Sequence, residues 1–465
     1  MNDARDDTTG SPRAAGPHPD RPRALLPSSL WAIGGMGFYH ACQLGVLVLL
    51  AKYTPPEIQG QYFLALAIAT PVLLLFGLEL RPAFVSDAAG QITLGTYRVV
   101  RRGALTLAAV VLTGVLLWQA HREARPAYLL ILAGVFAARF LWTQAEFGWG
   151  TYQRRERLDL LAVAVGLRGL TLLLPFAILL PTWTRLSGPG HAEPQQLAGA
   201  VAAALAAHAV GLALIWLVFD RPRVLDRRRW DLSWTPTAAW SLAWQTLPLG
   251  AVALLINLCD AVPRLLFEHP AVADGKTQLG YFGALAYITL AGNLIIIQAA
   301  TAAANRLAVY YQKDIRAFVY LGLKLLAAAA GIGGVVLLVA TLAGRWLLTT
   351  IYTPEHARFQ TEFVLIVAAH ALALLTNVFG AATTQMRLFW VQVPVQAVTL
   401  GATLAAAWLL IPGPTPVRGA ALTALVRAGV QLALYAACVV LGLARRRRCV
   451  PRAEDRAARR AVPGN

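Results

Sequence analysis

The chain has 465 residues, of which 57% are hydrophobic and only 14% charged, with a mean hydropathy of +0.57. Soluble domains carry about 25% charged residues, so this composition excludes a large soluble catalytic domain and a disordered chain, while long apolar blocks exclude an outer-membrane barrel of short alternating strands. The net charge of +18, from 41 Lys+Arg against 23 Asp+Glu, would suggest nucleic acid in a soluble protein; in a membrane protein it belongs to loops on one side, and no nucleic-acid partner is expected.

In chain order, residues 1–28 read as a disordered cytoplasmic tail, Pro-rich and too acidic for the start of a signal peptide. Twelve apolar segments follow, each near the roughly 20 residues a bilayer needs. They cover 29–52, 61–80, 103–119, 127–149, 159–181 and 196–219, then 241–267, 280–304, 317–343, 361–383, 388–411 and 417–443. The expected fold is an all-α polytopic membrane protein of about twelve spans. It divides into an N-lobe over 29–219, a cytoplasmic linker over 220–240, a C-lobe over 241–443 and a basic tail over 444–465.

With the N-terminus inside, 28 cations fall in inside loops and tails and 8 in outside loops. That bias predicts an even number of spans with both termini cytoplasmic. Trp31, Trp118, Trp149, Trp183, Trp240, Trp346 and Trp408 sit near predicted helix ends and read as headgroup-level anchors.

An internal repeat supports the two lobes. Tyr62–Thr70 and Tyr281–Thr289 share six of nine residues at an offset of 219. An offset of six spans preserves orientation, so the lobes are expected to be related by a pseudo-twofold along the membrane normal, with a substrate site between them.

Five cations remain inside spans: Arg139, Arg168, Arg264, Lys324 and Arg427. Lys324 is close enough to an end to snorkel, and Arg264 also lies near one. Arg139, Arg168 and Arg427 are nearer mid-helix and are expected to face the bundle interior. The embedded acids are fewer: Glu146, Asp260 and, nearer an interface, Glu79. They are candidates for coupling an ion or orienting the arginines. An arginine surplus suits an anionic substrate, because guanidinium forks match phosphate oxygens. His40, Gln43, Asn257, Asn293 and Gln298 are polar cavity candidates, with helix–helix hydrogen bonding as their other use. No P-loop, dinucleotide fingerprint or metal-ligand spacing is present, so no catalytic residue, metal or cofactor is expected.

Several motifs resemble one family. Tyr53-Thr54-Pro55-Pro56-Glu57-Ile58-Gln59-Gly60-Gln61-Tyr62 is similar to the loop between the first two helices of bacterial polysaccharide flippases. Phe76-Gly77-Leu78-Glu79-Leu80-Arg81 and Ser86-Asp87-Ala88 resemble elements that follow it there. Leu247-Pro248-Leu249-Gly250, Asn257 and Pro263-Arg264 resemble the seventh helix, and Gly280-Tyr281-Phe282 with Ala304-Asn305-Arg306-Leu307-Ala308 the eighth. The resemblance is to the O-antigen and capsule branch, within the multidrug/oligosaccharidyl-lipid/polysaccharide (MOP) exporter superfamily that includes MATE exporters and lipid II flippases. It implies alternating access in a bacterial inner membrane and a polyprenyl-diphosphate-linked oligosaccharide as cargo. With that cargo, the diphosphate is expected to be held by some of Arg81, Arg139, Arg168, Arg264, Arg306 and Arg427, with membrane lipids, a glycan polymerase and glycosyltransferases as expected partners. Two other functions remain open: an ion-coupled small-molecule exporter, which wants a carboxylate-dominated cavity, and a membrane-embedded glycan polymerase or ligase, which wants a large outside loop.

Overall fold

The computed structural model describes residues 25–87, 90–123, 125–186, 193–224, 230–288, 307, 309–386 and 388–449. Both expected tails lie largely outside these residues, as do Asn293, Gln298 and Arg306. Among the described residues every regular element is helical. Eleven helices are long and apolar enough to cross a membrane, and α10, the start of the expected eighth span, runs into residues that are not described. The chain is a multi-pass membrane protein with the expected all-helical, two-lobed architecture.

Its first half contains α1 (Leu25–Tyr53), α2 (Pro56–Gly77), α3 (Leu80–Ser86), α4 (Leu94–Ala120), α5 (Pro126–Arg154), α6 (Leu158–Leu186) and α7 (Pro194–Leu214). A π-helical turn (Ile215–Asp220) and α8 (Arg221–Val224) extend α7, so the linker read as starting at 220 begins as helix. The second half contains α9 (Pro236–Leu265), α10 (Gly275–Ile288), α11 (Ile315–Ile351), α12 (Gln360–Gln385), α13 (Phe389–Leu410) and α14 (Pro416–Cys449).

Local chemistry explains several boundaries. Thr93 caps α4 by accepting from the Thr96 amide, and Asp314 caps α11 by accepting from the amides of Arg316 and Ala317. Pro56, Pro126 and Pro194 stand in first turns, where a missing N–H costs nothing. Helix α2 ends at Leu78 and Glu79, both left-handed with φ of 53° and 48°, a conformation rare outside glycine. The chain then restarts as α3, so the expected break after residue 80 falls slightly earlier.

The two copies of the repeat cross at the helix starts. A Cβ on Gly60 would fall on the Lys276 carbonyl oxygen, and one on Gly280 on the Pro56 carbonyl oxygen. Only glycine permits two backbones so close. Lys276 is the repeat counterpart of Glu57, so the two contacts are nearly reciprocal, as a pseudo-twofold requires. We call this end the far face. The opposite end, where α4, α9 and α11 begin, is the basic face. On the far face α11 also returns beside α10, where the Tyr352 hydroxyl donates to the Ala284 carbonyl at 2.9 Å.

Ion pairs surround the crossing. Arg125 pairs with Glu57 at 2.8 Å and Glu123 at 3.2 Å, and Glu123 also pairs with Lys276 of α10. Burial pushes the Glu123 carboxyl upward, but Lys276 and Arg125 overcome it and hold the group below its ordinary range. This chain of charges ties the two halves together at the far face.

Six of the seven tryptophans expected at helix ends are at least 41% exposed, consistent with anchors. Trp149 is the exception. It is fully buried, with the Arg168 guanidinium 5.0 Å from its ring, and supports an internal charge instead of a headgroup.

Candidate functional site

A central cavity of about 310 Å³ lies between the halves. Helix α9 supplies Asn257, Asp260 and Arg264, which the 3.6-residue period places on one face. Helix α14 supplies Arg427, α5 supplies Arg139, α1 supplies Gln43 and α12 supplies His370. Tyr62 and Tyr287, from the two repeat helices, complete an aromatic wall.

Asp260 accepts an ion pair from Arg427, and half of its side chain is accessible. The Gln43 side-chain oxygen accepts from the Tyr287 hydroxyl and lies 3.1 Å from His40 Nδ1. Asn257 donates to the Ala253 carbonyl of its own helix at 2.9 Å, leaving its amide oxygen free of that bond. The Nε atoms of Arg139 and Arg264 are buried without a partner among the described residues. Neither side chain forms an ion pair there. The described wall thus sets three guanidiniums against one carboxylate.

The structure therefore brings together Arg139, Arg264, Arg427, Asp260, Gln43 and Asn257. It separates the other sequence candidates. His40 touches Gln43 but does not line the cavity. Arg81, Glu79 and Glu146 line a second cavity of about 420 Å³ within the first half. There Arg81 binds Glu146 and Gln153, each at 3.2 Å.

Arg168 lines neither cavity. It is fully buried, ion-paired with Asp220, and donates to the Ala164 carbonyl at 2.9 Å. Asp220 also accepts from the Tyr152 hydroxyl at 2.9 Å. The π-helical turn carries this aspartate inward, so a residue read as linker becomes an embedded acid. The expected diphosphate contact at Arg168 finds no place on either cavity: its charge is paired with Asp220, although its Nε, like those of Arg139 and Arg264, has no partner among the described residues.

Sequence reading missed two residues. His370 was hidden by its apolar surroundings in α12. Arg101 was grouped with loop cations, yet it lies in α4, only 5% exposed. Its Nη1 donates to the Gly77 carbonyl at 2.9 Å and its Nη2 to the Thr143 carbonyl. The Gly77 bond caps the C-terminus of α2 at the helix break, and the Thr93 cap shows why α4 starts before residue 101.

No family model matches the chain. The capsular polysaccharide biosynthesis protein CapF of Staphylococcus aureus is 22% identical over 410 residues, spanning 85% of this chain and 94% of CapF. Among solved structures, the inward closed conformation of the lipid II flippase MurJ superposes with a TM-score of 0.64 at 10% identity, covering 90% of this chain and 91% of MurJ. An inward-facing multidrug resistance MATE family transporter of the MOP superfamily gives 0.63 at 12% identity, covering 89% and 98%. The fold is the one these two solved structures share. The resemblance read from the loop and helix motifs therefore extends to nearly the whole chain. Of these two neighbours, one is a lipid II flippase and the other a multidrug transporter.

Proposed function

We propose that the protein is a flippase for polyprenyl-diphosphate-linked oligosaccharide, working by alternating access in a bacterial cytoplasmic membrane to supply cell-surface polysaccharide. The basic face is then cytoplasmic, in line with the Lys and Arg bias of its loops. The arginine surplus of the central cavity is the observation that carries the reading. Moving a diphosphate into a low-dielectric bundle requires compensating donors, and Arg139, Arg264 and Arg427 offer bidentate forks. Asp260 holds Arg427 in orientation, so one cation is already poised when the cargo enters. Gln43, Asn257 and His370 offer sugar-facing polarity, and the lipid tail stays in the bilayer. The likeness to CapF supports a role in capsule-type glycan assembly, and the likeness to MurJ supports a lipid-linked cargo. A cavity with this charge sign disfavours a cationic drug as cargo.

The test is genetic and chemical together. Deleting the gene is expected to accumulate lipid-linked repeat units on the inner leaflet and to abolish the surface glycan. Arg264→Ala and Arg427→Ala are each expected to reproduce that phenotype while the protein still inserts in the membrane. Normal glycan export by the double variant would refute the cradle.

A further inference from the structure

A third cavity, of about 240 Å³, opens near the basic face of the first half, outside the central cavity. It is a groove over α5, bounded on one side by α4 and on the other by the π-helical turn and α8. Its polar lining is Arg98, Arg101 and Arg102 from α4, Gln144 from α5, Trp216 from the π-helical turn and Arg221 from α8. Four guanidiniums share it, and no carboxylate is among the described lining residues. We propose that this groove binds the phosphate headgroup of an anionic phospholipid in the leaflet at the basic face.

Four observations converge on that ligand. Arg98 stands three and four residues before Arg101 and Arg102, so the three guanidiniums share one helix face and border the groove together. Arg101 is 95% buried by its 5% exposure, and its Nε has no partner among the described residues. Arg101 also borders the second cavity, where Glu79 stands beside it and Glu146 is bound to Arg81. Trp216 supplies an indole, the ring that favours headgroup depth.

The fourth observation is apolar and selects a lipid over a free anion. Leu214 and Val218, on α7 and the π-helical turn that carries Trp216 and Leu217 to the groove, are 55% and 72% exposed. Acyl chains hanging from a bound headgroup would cover them. Basic pockets between membrane helices are known to take such headgroups. The π-helical turn serves both sides of its wall: it sends Asp220 inward to Arg168 and leaves Trp216 and Arg221 on the groove. Such turns recur at functional sites. The proposal does not depend on what the central cavity carries.

Native mass spectrometry of the full chain in detergent tests it, with dioleoylphosphatidylglycerol, dioleoylphosphatidylcholine and inorganic phosphate as probes. Phosphatidylglycerol is expected to be retained and phosphatidylcholine lost. R102Q and R221Q change exposed side chains, so folding is preserved, and each is expected to weaken phosphatidylglycerol binding about fivefold. The R102K/R221K double variant keeps the charge and is expected to retain the lipid better than R102Q/R221Q. Equal retention of the two lipids, or unchanged binding by R102Q/R221Q, would overturn the site. Inorganic phosphate competing as tightly as the lipid would overturn the assignment to a lipid.

Discussion

Two Arg–Asp pairs join helices far apart in sequence, and they serve opposite ends. Arg168 and Asp220 are fully buried. Tyr152 donates to the second aspartate oxygen, the Ala164 carbonyl takes a second guanidinium nitrogen, and the Trp149 ring lies 5.0 Å away, leaving only Nε without a partner among the described residues. Arg427 and Asp260 keep 23% and 50% of their side chains accessible, on a cavity that also holds Arg139 and Arg264. The first pair closes its own account of charge within the first half. The second stands in a surplus of cations that a ligand can meet. A mid-helix charge must face inward, but only its neighbours decide whether it is satisfied or waiting.

The sharpest way to break that comparison is to remove one partner of the buried pair. Asp220→Ala leaves Arg168 charged and alone, at an expected cost of about 3–5 kcal/mol in stability. Arg168→Leu added to Asp220→Ala is expected to recover most of that loss, because a buried pair replaced by apolar groups is often nearly neutral. Asp260→Ala, on an accessible pair, is expected to cost less than Asp220→Ala. Thermal or denaturant unfolding in detergent measures all three, and equal losses at Asp220 and Asp260 would erase the distinction.

The next effect concerns the far face. Gly280→Val places a side chain on the Pro56 carbonyl, and overpacking of this kind costs about 1–3 kcal/mol. The crossing of α2 and α10 lies farther toward the far face than the cavity-lining Tyr62 and Phe282. The variant is therefore expected to raise far-side labelling of a cysteine introduced at Ile58, which is fully buried in the wild type. Unchanged labelling with lowered stability would show that the crossing is a packing contact and not a closure.

The fold was largely legible because membrane helices announce themselves by length and apolarity. The short break between α5 and α6 was visible in Tyr152–Arg157, and the repeat located α2 and α10 before their contact was seen. The site was legible only in part. Arg139, Arg264 and Arg427 were found because a span makes any charge conspicuous. Arg168 was found for the same reason and then misassigned, since its partner Asp220 looked like a loop residue next to Arg221 and Arg223. Arg101 was lost to the opposite error: a helix that begins seven residues earlier hides its first cations among loop charges. Both failures are failures of boundary. Where a helix starts or ends depends on caps, π-helical turns and tertiary carbonyl acceptors, none of which changes the local hydropathy.

Smaller again is the charge chain at the far face. Glu123→Gln removes a pair with Lys276 whose side chains are only 11% and 19% exposed and is expected to cost about 1 kcal/mol, the upper end for exposed pairs. The sign of its pH dependence follows from the depressed carboxyl. Its contribution is full above the ordinary carboxylate value of 4.5 and is lost as pH falls through the lower folded value. Wild type and E123Q are therefore expected to converge in stability in acid and to separate above it. A gap that widened on acidification would reverse the assigned role of Glu123.

The smallest stability effect belongs to a cavity residue, and it is the most informative. Arg139 has no ion pair among the described residues, and its Nε is buried without a partner. Arg139→Gln removes some packing but also relieves an uncompensated charge, so the two terms oppose and the net change is expected to stay below about 0.5 kcal/mol. Glycan export is expected to fall at least tenfold in the same variant. That combination is the reverse of Asp220→Ala, where stability falls and the cavity is untouched. A site held in readiness for a ligand is one that the apo protein does not need. Arg139→Gln that unfolded the protein, or that exported normally, would place Arg139 with Arg168 and not with Arg427.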